Sequence, residues 1–312
     1  IELGPDGRVK SIGTRERLDA HRLIEEFMIQ ANVAAAEALE SRNCPLVYRV
    51  HAPPSAEKLQ ALGDFLETMN INLAPAQTVT TAMLNHILKA AADTPNRELV
   101  NVVMLRSQSQ AEYNPENIGH YGLALKRYAH FTSPIRRYAD LIVHRALVRA
   151  FGLGNGGLTD REIGRLPKIA EDISAFERRA MAAERDSNDR YIAAFMSDRV
   201  GAEFPGRISG VTRFGLFVRL AETGADGIVP VRSLGREFFH HDEKAHALVG
   251  EKSGLRFRLG DTVKVRVDEA TPLTGGLRFT LLEGGKPGAP SRTPPRGGKR
   301  RFTPERKKPR KR

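Results

Sequence analysis

The run Thr132-Ser133-Pro134-Ile135-Arg136-Arg137 sets two guanidinium groups directly after a serine-proline pair. Serine caps helix N-termini and proline fits a first turn, so the spacing predicts a helix opening at Ser133 and running to about Phe151. Arg136 then stands in that first turn, where free N–H groups and the positive end of the helix dipole favour an anion. On a helical wheel Arg136 shares a side with Asp140, Val143 and Leu147. This turns it toward apolar packing, where an arginine needs a partner. Two partners suit it: Asp140 at i,i+4, or a phosphate gripped by the planar fork, which would stabilise charge as a bond breaks. Arg137 is either a contact to the same anionic chain or a solvated charge.

Glu25 lies with His21, Met28 and Asn32 on the edge of an apolar stripe, whereas Glu26 shares the polar side with Gln30 and Glu37. His21, Glu25 and Asn32 read either as a structural hydrogen-bond network or as part of a site. Further along, Phe214 and Phe217 flank Gly215, with Arg213 and Arg219 beside them. Aromatics next to basic groups stack single-stranded bases with little sequence preference, at about 1–3 kcal/mol per base. Strand alternation places one of the two phenylalanines in the core. His120, His130 and His144 have no zinc-ligand spacing and read as core or hydrogen-bonding histidines. Tyr121, Tyr128 and Phe131 read as packing, and His240 and His241 as solvent-facing members of a polar insert.

Helical and extended elements must position these groups. Ile24, Met28, Ala31, Ala35 and Ala38 recur at helical spacing within a helix expected from Arg15 to about Glu40. Ser55 caps a second, and two more are expected over Gln77–Ala92 and Arg97–Ala111. Gly119–Thr132 has the aromatic, extended pattern of a strand and turn. Gly152, Gly154, Gly156 and Gly157 end the helix that follows. A long helix from about Pro167 to Ser197 spans roughly 45 Å and can brace one domain on the next. Beyond Val200 come five short β runs, Glu203–Ser209, Gly215–Leu220, Gly227–Pro230, Thr262–Asp268 and Leu277–Leu282, punctuated by glycines. With a helical or looped insert they fit a small antiparallel barrel of the oligonucleotide-binding kind.

The chain has 312 residues, 40% of them hydrophobic, enough for at least two globular units. A single cysteine, Cys44, allows no internal disulfide, and no apolar run is long enough to cross a bilayer. A cytoplasmic protein with no membrane partner is expected. A chain starting at Ile1, in residues that read like mid-domain, is expected to be a fragment. The net charge of +12 is concentrated in Gly284–Arg312, which holds 12 Lys and Arg against one acid, Glu305. So basic and apolar-poor a segment is expected to be a disordered arm, binding phosphates with counterion release or simply aiding solubility.

Three stretches, ENIGHYGLALKRYAHFTSPIRRYADLIVHRAL over Glu116–Leu147, DAHRLIEEFMIQAN over Asp19–Asn32 and YRVHAPPSAEKL over Tyr48–Leu59, resemble the catalytic domain of the ribonuclease II and ribonuclease R family. FPGRISGVTRFGLFVRL, Phe204–Leu220, resembles the start of an S1-type RNA-binding barrel. The resemblance implies an α+β fold. Residues 1–200 would form the helix-rich C-terminal part of an RNB exoribonuclease domain, 201–283 a five-stranded OB-fold barrel of S1 type, and 284–312 a disordered basic tail. It implies a processive, magnesium-dependent 3′-to-5′ exoribonuclease that degrades single-stranded RNA to nucleoside 5′-monophosphates. The catalytic arginine falls on Arg136, and Glu25 falls where the 3′-terminal nucleotide binds, its carboxylate placed to hold a ribose hydroxyl. Arg137, Arg213, Phe214, Phe217 and Arg219 become RNA contacts. The family's metal-holding aspartates lie upstream of the matched segment, so no metal ligand is expected in this chain, which should bind RNA without cutting it. The alternatives are a noncatalytic RNA-binding protein using barrel and tail, and a ribosome-associated or translation-related module.

Overall fold

The computed structural model describes residues 1–13, 16–73, 79–94 and 96–288. The elements of the first unit are β1 (Glu2–Leu3), β2 (Val9–Ser11), α1 (Asp19–Glu40), β3 (Tyr48–Val50), α2 (Ala56–Glu67), α3 (Thr81–Ala91), α4 (Arg97–Ser107), β4 (Glu112–Asn114), α5 (Tyr138–Phe151) and α6 (Asp160–Ile163). α7 (Leu166–Ser197) leads into β5 (Glu203–Thr212), β6 (Gly215–Leu220), β7 (Asp226–Pro230), β8 (Phe239–Asp242), β9 (Ala247–Gly250), β10 (Arg256–Arg258), β11 (Thr262–Thr271) and β12 (Gly276–Glu283).

Three hydrophobic clusters hold these elements. One joins the C-terminal half of α1 to β3, β4, α5 and the start of α7, through Ala36, Leu39, Val47, Ile142, Val143 and Leu166. The N-terminal half of α1 is bare: Ile24, expected on the buried stripe, is exposed with Leu23 and Phe27, and burial begins at Asn32 and Ala35. A second cluster packs α2, α3 and α4 around Leu62, Phe65, Leu66 and Val100. The third fills the barrel, with Leu216, Val218, Val265, Val267 and Phe279 inside and Ala193 and Met196 of α7 packed on it. α7 is therefore anchored in one unit by Leu166, Ala170 and Ser174 and in the other by Ala193 and Met196, with its middle exposed. At 32 residues and about 1.5 Å per residue it is the brace its length predicts.

The barrel closes in the order β11-β12-β7-β6-β5. The five expected strands are present, but one closing contact, β12 to β7 at Arg278–Ile228, is parallel, so the barrel is not antiparallel throughout. The insert opens with a 3-10 turn at Val231–Ser233 and a short loop, but its greater part is neither helical nor looped: β8, β9 and β10 form an antiparallel three-stranded sheet. This sheet and its flanks dock the barrel on the α2–α4 unit. Lys244 pairs with Asp64 at 2.8 Å, Arg258 donates to Asn96 at 2.6 Å, His246 packs edge-on against Phe65, and Leu259 joins the α2–α4 cluster. His240 and His241 are half-buried in it rather than open to solvent. Among the described residues the pairing reaches past Glu283 to Lys286, whose backbone bonds Arg256 in both directions and whose ammonium meets Asp261 at 2.5 Å.

Gly227 shows how tightly the barrel closes. A Cβ there would stand 2.5 Å from the Phe279 ring and 2.9 Å from Leu277 Cβ, and Phe279 is fully buried. Gly227→Ala is expected to destabilise the barrel by about 1–3 kcal/mol by overpacking. An unchanged urea midpoint would contradict this.

Candidate nucleic-acid interface

The arginine pair lies on a turn, not in a helix. α5 starts at Tyr138 with Arg137 at its N-cap position, and Pro134–Arg136 form a separate turn in which the N–H groups of Arg136 and Arg137 both reach the Ser133 carbonyl. The expected helix opening at Ser133 is corrected by one group, Asp140. Its carboxylate is fully buried, accepts the Ser133 N–H at 2.7 Å, and takes a two-pronged pair from Arg137 Nε and Nη2, each at 2.8 Å. Tying residue 133 back to residue 140 bends the chain before the helix can extend N-terminally. The i,i+4 pair offered for Arg136 does not form; Arg137, three residues before Asp140, takes the carboxylate instead. Arg136 is exposed rather than turned into apolar packing, and among the described residues it enters no salt bridge.

The segment before the turn is held by side chains. Gly119–Thr132 contains no named strand, only a 3-10 turn at Tyr121–Leu123 and single bridges of His120. Its backbone bonds go to β3 and the residue after it: Arg49 N–H to the Tyr128 carbonyl, His51 N–H to the Gly119 carbonyl, and Tyr121 N–H to the His51 carbonyl. Asn32 accepts the Phe131 N–H and donates to the Tyr128 hydroxyl; His144 Nε2 bonds the Phe131 carbonyl. The hydroxyl of Thr132 is buried with no hydrogen-bond partner. His21, Glu25 and Asn32 do not bond to one another: His21 accepts the Leu18 N–H, and exposed Glu25 pairs with Arg17.

Burial makes the histidines under this segment poor bases. His130 Nδ1 accepts the Tyr113 hydroxyl at 2.9 Å, and burial depresses its pKa to about 3; burial, then the nearby His51, depresses that of His120 to about 4. An unfolded imidazole titrates near 6.5, so below that pH the unfolded chain binds protons the folded chain refuses. Stability is therefore expected to fall as pH drops from about 6.5 toward 4. The check is a urea midpoint at pH 7 and pH 5, and equal midpoints would contradict it.

On the barrel, Phe214 and Phe217 are 63% and 40% exposed, so neither belongs to the core. Phe214 sits in the turn between β5 and β6, outside the strand alternation that predicted one buried phenylalanine; within β6, Leu216, Val218 and Leu220 point inward and Phe217 and Arg219 outward. The Arg213 guanidinium lies 4.6 Å over the Phe214 ring, and Arg219 pairs with Asp226 at 3.2 Å. This face offers two open rings with a cation stacked on one. A cavity of about 750 Å³ between α3, α4 and the Tyr121 turn has no Asp, Glu, Lys or Arg in its lining.

Among the described residues no three His, Cys, Asp or Glu side chains come together as a metal-holding group. Two-metal phosphodiester chemistry needs such a carboxylate set. Magnesium chemistry of this kind therefore does not fit the described residues. Among the described residues no helix is long and apolar enough to cross a membrane.

The RNB domain family matches residues 1–152 and the S1 RNA binding domain family residues 197–280. Residues 1–152 thus belong to the RNB domain family and residues 197–280 to the S1 RNA binding domain family. Ribonuclease R of Vibrio cholerae is 41% identical over 285 residues, covering 88% of this chain and 35% of the relative. Ribonuclease R of Escherichia coli K12 is 40% identical over 283 residues, with the same two coverages. The chain thus spans about a third of the length of these relatives. Mycoplasma genitalium RNase R in its apo form superposes with a TM-score of 0.83 at 30% identity, over 90% of this chain and 44% of that one. The same protein in complex with ribose-methylated single-stranded RNA gives 0.82 at 29% identity, over the same shares. The RNB match contains Glu25, Arg136 and Arg137, and the S1 match contains Arg213, Phe214, Phe217 and Arg219. Sequence reasoning did not assign Asp140 to Arg137 or find the Asn32 and His144 bonds to Phe131; these partners are 99 and 13 residues from Phe131 and leave no periodic signal.

Proposed function

We propose that this chain is the RNA-binding portion of a 3′-to-5′ exoribonuclease that hydrolyses single-stranded RNA processively to nucleoside 5′-monophosphates in the cytoplasm. The observation that carries the reading is Arg136: an exposed guanidinium without an acidic partner among the described residues, on a turn fixed by a buried ion pair, inside the RNB match. A planar fork so presented can take a phosphate two-pronged and stabilise charge developing on it. Arg137 has its fork on Asp140, which offsets its charge, so its part is to hold the turn beside the phosphate. Glu25 would hold a ribose hydroxyl of the terminal nucleotide, exchanging its pair with Arg17 for that contact. Phe214 and Phe217 would stack bases, with Arg213 and Arg219 beside the backbone.

The whole enzyme would use magnesium, for which the described residues assemble no set of ligands, so the chain alone should bind RNA and leave it intact. The basic tail, outside the described residues beyond Gly288, adds phosphate contacts and a route to ribosomes or other RNA-decay partners. The test incubates the isolated chain with 5′-fluorescein single-stranded RNA and magnesium, following anisotropy and release of mononucleotides. Binding without cleavage is expected. Mononucleotide release would overturn the inactivity, and absence of binding would overturn the RNA-binding role.

A further inference from the structure

Phe131 stands five residues before Arg136, and α1 and α5 hold every group it has. Its N–H donates to Asn32 Oδ1 at 2.8 Å. Its carbonyl lies 2.9 Å from His144 Nε2, which donates to it. Its ring stacks on the His144 imidazole with centroids 4.3 Å apart and planes 12° from parallel. Asn32 is only 3% exposed and uses its other end on the same loop, donating to the Tyr128 hydroxyl at 3.0 Å. One amide and one imidazole thus satisfy at Phe131 the backbone groups that a strand ladder would have paired.

Arg136 has no anchor of its own among the described residues, so the position of its guanidinium is set by its backbone. That backbone is pinned on one side by Asp140, through Ser133 and Arg137, and on the other by Asn32 and His144, through Phe131. We propose that Asn32 and His144 are positioning residues for Arg136: they fix where the turn presents the fork, and they reach RNA only through it. The claim rests on the reading of Arg136 as an RNA contact. Misplacement of a reacting or gripping group by about 1 Å can cost 10²-fold in rate, so a loop without regular structure needs such ties to be useful.

The test has two arms. In the first, a nitroxide label is placed at position 136 (Arg136→Cys, with Cys44→Ala) in the otherwise unchanged chain, and at position 213 (Arg213→Cys) as a barrel control. Asn32→Ala and, separately, His144→Phe, which keeps the stacked ring and removes only the donor, should raise label mobility at 136 and leave it unchanged at 213. His144→Gln, which restores a donor, should recover the restricted spectrum. Unchanged mobility at 136, or equal loosening at both sites, would overturn the proposal.

In the second arm the affinity for 5′-fluorescein single-stranded RNA is measured as a double-mutant cycle. Arg136→Ala should weaken binding about tenfold. Asn32→Ala or His144→Phe should weaken the parent chain about threefold or more and leave Arg136→Ala no weaker. Equal losses in both backgrounds mean general damage and overturn the proposal. If Arg136→Ala binds normally, the reading of Arg136 fails, while the first arm still decides whether Asn32 and His144 hold the turn.

Discussion

Asp140→Ala should lower the stability of the unit built on α1, α5 and the start of α7 by about 3 kcal/mol. The carboxylate is fully buried and serves three donors, the Ser133 N–H and two nitrogens of Arg137. Removing it strands the guanidinium of an arginine whose side chain is only 20% exposed, and a backbone N–H that held the turn. Broken buried pairs typically cost about 3–5 kcal/mol, and the residual exposure of Arg137 puts this one at the low end. Asp140→Asn keeps an acceptor for Ser133 and loses the charge, so its cost should be smaller. The measurement is the urea midpoint followed by tyrosine absorbance, since Tyr113 and Tyr128 belong to this unit. If Asp140→Ala unfolds at the parent midpoint, the buried pair does not organise the turn.

Truncation after Gly288 should change RNA binding more than any single substitution. It removes eleven Lys and Arg side chains and Glu305, and lowers the net charge from +12 to +2. Binding to single strands weakens with salt by about 0.7 in log K per log unit for each phosphate contact, so loss of even five contacts shallows the slope by about 3.5. At about 0.1 M salt the truncated chain should bind at least tenfold more weakly, with the difference shrinking as salt rises. The check is a set of fluorescein–RNA titrations across salt for both chains. Parallel salt slopes would mean that the tail makes no phosphate contacts.

The proposed function has two sources of RNA affinity. The tail supplies charge that needs no fold, because counterion release depends on how many cations meet phosphates rather than on their exact arrangement. On the proposed reading Arg136 would supply one fork whose value depends on placement, and Asp140 at one end of the turn and Phe131 at the other would provide that placement through the bonds they make. Magnesium-dependent cleavage demands a third ingredient, grouped carboxylates, which the described residues do not assemble.

Local pattern alone was enough for the elements whose stability is local. α7 follows from a helical repeat running unbroken from Pro167 to Ser197, and the barrel strands follow from alternation such as that of Leu216, Val218 and Leu220 against Phe217 and Arg219. The charge of the tail and the Thr132–Arg137 run are also plain in the sequence. The tertiary structure decided what depends on distant partners. The helix expected at Ser133 yields to a turn because buried Asp140 draws the Ser133 N–H and the Arg137 fork to itself, a competition no helical wheel contains. The strand expected over Gly119–Thr132 has no ladder partner and is tied instead by β3, Asn32 and His144. The insert becomes a sheet because β8–β10 pair with one another while docked on α2–α4, and the apolar start of α1 stays bare because no described residue covers Leu23, Ile24 and Phe27. Periodicity records which face of an element is apolar, but only the folded chain settles which hydrogen-bonding group meets which.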